Sequence, residues 1–138
     1  MSHDAITRKN RRTTLEPLLS VRGGKSALEF YKNAFGAEIL RLIESGTGEV
    51  VAQLSVEGAS FWMADESPAH ENFSPESIGG STVRMILTVE DPDRVFERAI
   101  SAGAKAIHPV SDQSYGWRVG RLVDPFGHHW EIGKPLCK

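Results

Sequence analysis

The chain has 138 residues, is 40% hydrophobic and 25% charged, and carries a formal charge of −2 with a pI near 6.2. That length fits one domain with a sizeable core, and so balanced a charge leaves no electrostatic footprint for nucleic acid. A single cysteine, Cys137, allows no internal disulfide and fits a reducing, cytoplasmic setting; no stretch has the length of a membrane span or the apolar run of a secretory signal.

Residues 1–14 (MSHDAITRKNRRTT) are polar and read as a disordered leader before a single domain over 15–138. Residues 15–21 (LEPLLSV) read as a strand whose Pro17 suits an edge or a strand start. From 25 to 35 (KSALEFYKNAF), Ala27, Leu28, Tyr31, Ala34 and Phe35 recur at helical spacing, and Gly36 supplies the stop. Strands follow at 38–43 (EILRLI), 49–56 (EVVAQLSV) and 59–64 (ASFWMA), separated by Gly-containing turns. The stretch 66–80 is polar, with Pro68, Pro75 and Gly79-Gly80, and reads as a linker or mobile loop. The programme then restarts: a strand at 83–89, a helix at 91–102 with Asp91 as N-cap and Pro92 in its first turn, and strands at 105–110, 117–123 and 128–132.

This is an internal repeat. Gly36 and Gly103 close the two helices at an offset of 67 residues, Val21 and Val89 precede them at 68, and Gly58 and Gly127 sit in matching hairpins at 69. Each module reads β-α-β-β-β, module 1 over about 15–65 and module 2 over about 81–135. The fold class is therefore α+β, with two tandem modules whose curved mixed sheets enclose a cleft.

Residues 121–132 (RLVDPFGHHWEI) hold the sharpest local pattern. Pro125 and Gly127 make a tight turn, so two strands fold back on each other. Strand alternation places Gly127, His129 and Glu131 on one face and His128, Trp130 and Ile132 on the other. The bulky set, with Phe61, belongs to the core. Glu131 and His129 then face water, a ligand or a metal.

A duplicated module of this kind, with the segments ALEFYKNAFGAE, VFERAISAGA and GRLVDPFGHHWEI, resembles the vicinal-oxygen-chelate superfamily of glyoxalases, bleomycin-resistance proteins and dioxygenases. Within it the segments look most like PhnB-like bacterial members. The resemblance runs over about residues 15–135 and implies the glyoxalase/bleomycin-resistance/dioxygenase fold, a small-molecule cleft and a homodimer. Relatives that use a metal place its ligands on cavity faces of the first and last strands of each module. Counted from the matched landmarks, those positions are Glu16, Trp62, Arg84 and Glu131. Trp62 has no donor atom for a metal, and Arg84 is a fixed cation with no lone pair. Arg84 lying between Glu16 and Glu131 would make charge-assisted hydrogen bonds where a metal would otherwise sit. The rival arrangement holds a divalent metal on Glu16, His129 and Glu131. A one-residue displacement of the strands would flip every assignment.

Further ligand-binding candidates are Gln53 and Arg121, at matching repeat positions, and Trp117 beside Tyr115 at a loop-to-strand junction. Trp62 can stack on a planar or cationic ligand. His108 and His70 read as surface residues. The expected function is metal-independent binding of a small organic molecule in the inter-module cleft, with no cofactor. The alternative is an enzyme, a glyoxalase-like lyase/isomerase or a dioxygenase, either metal-dependent or metal-free, with Glu131 or Glu16 as its candidate catalytic base. A ligandless interaction domain is the third reading. No membrane or nucleic-acid partner is expected.

Overall fold

The computed structural model describes residues 12–136. Cys137 and most of the expected leader lie outside that range. The chain runs β1 (Leu18–Val21), α1 (Gly24–Phe35), β2 (Glu38–Glu44), β3 (Val50–Val56) and β4 (Ala59–Asp65). A 3₁₀ turn (Pro68–His70) and the short helix α2 (Pro75–Ile78) lead to β5 (Arg84–Thr88), α3 (Pro92–Ala102), β6 (Lys105–Asp112), β7 (Trp117–Val123) and β8 (His129–Pro135). No helix among the described residues is long and apolar enough to cross a membrane.

The two modules have the same topology. One sheet is ordered β1-β4-β3-β2 and the other β5-β8-β7-β6. In each, the first strand lies parallel to the last (β1 on β4, β5 on β8) and the other neighbours are antiparallel. β1 opens at Leu18 rather than at residue 15, because Pro17 has no N–H to give a ladder. The Pro17 carbonyl still accepts from Trp62 N at 2.8 Å. α1 ends where expected, with Gly36 at φ 68° and its N–H on the Lys32 carbonyl. Asp91 caps α3 by accepting from Arg94 N.

Helices α1 and α3 pack against each other, so the modules join through their helix sides. An aromatic cluster crosses the join: Tyr31, Phe35 and Phe61 from the first module meet Phe126 and Trp130 from the second, with Phe35 and Trp130 centroids 4.6 Å apart. Trp130, Tyr31, Leu54, Met63, Leu122 and Ile132 are fully buried. Arg98 of α3 donates to the Asn33 carbonyl, at the C-terminal end of α1, at 2.7 Å.

Residues 66–80 are tied down. Ser74 is buried and caps α2, while Glu66 accepts from Ser74 N (2.9 Å), Ser77 Oγ (2.6 Å) and Arg22 Nε (3.0 Å). A Cβ on Gly127 would lie 2.7 Å from Pro75 Cβ, so the DPFG turn needs glycine both for its φ of 93° and for this close approach.

Candidate functional site

Because each sheet buries one face against a helix, the alternate residues of its strands remain on an open face. On the second sheet, Trp130 and Ile132 are buried while His129 and Glu131 are half-buried on the open face. The register sets Arg121 opposite Glu131 and Ile86 beside it. Arg84, two residues before Ile86 on the same face of β5, reaches Glu131 with its Nε 2.6 Å from the carboxylate.

Arg121 donates from Nε to His129 Nδ1 at 3.2 Å. An accepting Nδ1 carries no proton, so the neutral imidazole holds its proton on Nε2. Burial, and then the Arg121 charge, lower the His129 pKa from its ordinary value, which favours that neutral form. A groove of about 420 Å³ lies over these groups, lined by Arg84, His108, Gln113, Tyr115, Arg121 and Glu131 among others. It adjoins a smaller recess of about 210 Å³ walled by Ile86, Tyr115, Trp117 and Val119.

The first sheet presents a different surface. Gln53 donates from Nε2 to Glu16 at 2.8 Å and accepts from Arg41 Nε at 3.2 Å, a relay running beside half-buried Trp62. These four residues, with Leu15 and Ile43, line a shallow recess that shares no residue with the groove on the second sheet.

The expected site residues are therefore divided. Arg84, Trp117, Arg121, His129 and Glu131 share the second sheet's open face; Glu16, Gln53 and Trp62 lie on the first. The expectation that Arg84 would lie between Glu16 and Glu131 needs correcting, since Arg84 pairs with Glu131 while Glu16 is held by Gln53. The physical reason is the helix-side join, which merges the two cores and does not bring the open faces into one recess. The groove that does span the modules, about 320 Å³ beside Pro17, Phe61, Val83, Ile86 and Trp130, is mostly apolar and holds only Arg84 of the expected set. The trio Glu16, His129 and Glu131 is not assembled, and among the described residues no group of three or more His, Cys, Asp or Glu side chains is placed to hold a metal.

Two lining residues were not among the expected site residues. His108 is exposed, as expected, but also lines the groove and faces Arg121 across the β6–β7 ladder; Arg41, which lines the first sheet's recess, faces Gln53 across β2–β3. Both strands have irregular register beside these residues, which hides the alternation that would have exposed them.

A family model, the Glyoxalase/Bleomycin resistance protein/Dioxygenase superfamily, matches residues 14–132. The chain belongs to that superfamily. An uncharacterized protein of Mycobacterium tuberculosis (strain H37Rv), Rv0887c, is 38% identical over 126 residues, covering 88% of this chain and 74% of its own length. Among solved structures, TioX from Micromonospora sp. ML1 superposes with a TM-score of 0.67 at 23% identity, over 91% of this chain and 98% of its own. The fosfomycin resistance protein FosX of Listeria monocytogenes, in its complex with Mn(II) and sulfate, gives 0.66 at 15% identity, over 90% and 93%. At these identities the two structures speak to the fold alone. As a superfamily member the chain has the scaffold of many activities, and its own side chains have to decide among them.

Proposed function

We propose that this protein is a metal-independent binder of a small organic molecule, working as a homodimer. The observation that carries the reading is the Arg84–Glu131 ion pair. It places a guanidinium against the one carboxylate that remains at the implied ligand positions of the second sheet. Of the four positions, Trp62 and Arg84 offer no donor atom and Arg84 occupies Glu131. That donor set does not fit a divalent metal.

The division of the site supports the dimer reading. The first sheet's recess and the second sheet's groove are separate within a chain, and both faces expose apolar side chains, among them Leu18, Ile43 and Ile86, the last 62% exposed. Apposing the first sheet of one copy to the second sheet of another would cover these residues and unite Glu16, Gln53 and Trp62 with Arg84, Arg121 and Glu131. A two-fold axis would make the arrangement twice over.

Metal content of untagged protein purified without chelator, followed by calorimetric titration with Ni²⁺, Zn²⁺, Mn²⁺ and Fe²⁺, tests the first claim. The expected result is no binding tighter than about millimolar, near −4 kcal/mol. A stoichiometric metal lost in Glu131→Gln would overturn it and bring glyoxalase and dioxygenase assays forward. Sedimentation equilibrium tests the dimer. Tryptophan fluorescence against a compound library tests binding, and turnover of any hit would replace the binder with a metal-free enzyme using Glu131 or Glu16 as base.

A further inference from the structure

The charges on the second sheet's open face do not cancel. Arg84 and Glu131 neutralise each other, and His129 is the neutral partner of Arg121. Arg121 lies directly opposite Glu131 in the ladder, yet among the described residues no carboxylate stands within ion-pair distance of it. However Glu131 is shared between the two arginines, one positive charge is left over. A half-buried guanidinium that among the described residues is bonded only to an imidazole nitrogen keeps donors in hand, in the planar fork that suits a carboxylate or a phosphate. The ground beside it is of the opposite kind. Tyr115, Val119 and Glu131 belong to both recesses, so the charged groove runs directly into the pocket formed by Ile86, Trp117 and Val119. One molecule can occupy both.

We propose, resting on the binder reading above, that this groove takes an amphipathic organic anion, with its acidic group on Arg121 and its flat or apolar body against Ile86, Trp117 and Val119. The first sheet's recess, where Glu16 and Arg41 hold the two ends of Gln53, has no such surplus. It serves as the opposing wall.

The test uses matched acid, amide and amine trios built on phenyl, naphthyl and indole bodies, titrated into the full-length protein by calorimetry and by NMR of the arginine Nε–H resonances. Within a trio the body is constant and only the charge changes. The acid is expected to bind at least about tenfold tighter than its amide, to move the Arg121 resonance, and to lose its advantage as salt is raised. Arg121→Met should abolish the preference by weakening the acid more than the amide, and Arg121→Lys should keep part of it. Trp117→Ala should weaken acid and amide alike. Thermal unfolding of each variant separates a lost contact from a lost fold.

Acid, amide and amine binding equally, or the amine binding best, would overturn the anion assignment while leaving a binder. So would hits that move Trp62 and not Arg121. A library in which nothing binds would overturn the binder reading, and this inference with it.

Discussion

The two modules share a topology and use it for different ends, and their last hairpins show how. The first joins β3 to β4 through Glu57 and Gly58 alone, both at positive φ, a tight turn that buries nothing. The second spends residues 124–128 on its turn and drives Asp124 into the core, 3% exposed. There the Asp124 carboxylate accepts four hydrogen bonds: from Tyr31 Oη (2.6 Å), Trp130 Nε1 (3.0 Å), Phe126 N (2.9 Å) and His128 N (3.0 Å). His128 adds a ring-nitrogen contact to the Ser20 carbonyl at 2.8 Å. Tyr31 and Ser20 belong to the first module, so one turn organises its own hairpin and also fastens the two halves together. Burial, then the neighbouring Asp124 carboxylate, push the Tyr31 phenol well above its ordinary pKa and keep it a donor.

Mutating the two turns should split the comparison widely. Asp124→Ala strands a phenol, an indole N–H and two backbone N–H groups in the core, and about 4 kcal/mol or more should be lost in urea unfolding. Glu57→Ala in the exposed turn should move stability by less than about 0.5 kcal/mol. Similar losses from the two would mean that the second turn has no special place in the fold. Tyr31→Phe removes one of the hydrogen bonds that cross the modules, leaving the His128–Ser20 and Arg98–Asn33 contacts in place, and should cost about 2 kcal/mol. A negligible loss would show that the aromatic cluster and the remaining cross-module bonds hold the join without it.

The open faces differ in the other direction, in chemistry rather than stability. The Arg84 side chain is 51% exposed, so its ion pair with Glu131 is well hydrated. Arg84→Met or Glu131→Gln should each change unfolding free energy by less than about 1 kcal/mol. A loss of several kcal/mol in either would make the pair part of the fold and weaken its claim as a binding feature.

Much of this was legible in the sequence because it is local or periodic. Gly36, Gly103 and the Asp91-Pro92 pair mark helix ends through backbone rules that hold wherever the helix packs. Alternation through residues 128–132 correctly separates Trp130 and Ile132 from His129 and Glu131, and the 68-residue offset brings Arg84 to the same open face as Glu131. Periodicity says which face a residue takes, but not which other face it will meet. Glu16 was therefore assigned to a cluster with Arg84 that the helix-side join of the modules does not form. Asp124 was legible only as a turn former; its partner Tyr31 lies 93 residues away, and no spacing rule connects them. The order in residues 66–80 escaped for a related reason, since a polar stretch closed by one carboxylate and two serines has the composition of a loop.

That carboxylate supplies the smallest and most localised test. Glu66 directly follows the first sheet's last strand, and hydrogen bonds from Ser77 and the Ser74 backbone, with help from Arg22, lower its pKa from 4.5 to about 2. A carboxylate depressed on folding stabilises the native state above its unfolded pKa, and that contribution fades as pH falls through the folded value. Wild type should therefore exceed Glu66→Gln in urea midpoint at about pH 6, with the gap closing between roughly pH 4.5 and pH 2. Hydrogen-exchange protection factors at the Ser74 and Ser77 amides should fall over the same interval while the Trp130 indole N–H, held by Asp124, stays protected. If both regions loosened together, acid would be opening the chain as a unit, and the two modules' fastenings would not be separable. If only the amides around Glu66 responded, the first module would hold its connecting segment by a partly buried, pH-sensitive cluster, and the second would hold the chain by a fully buried one.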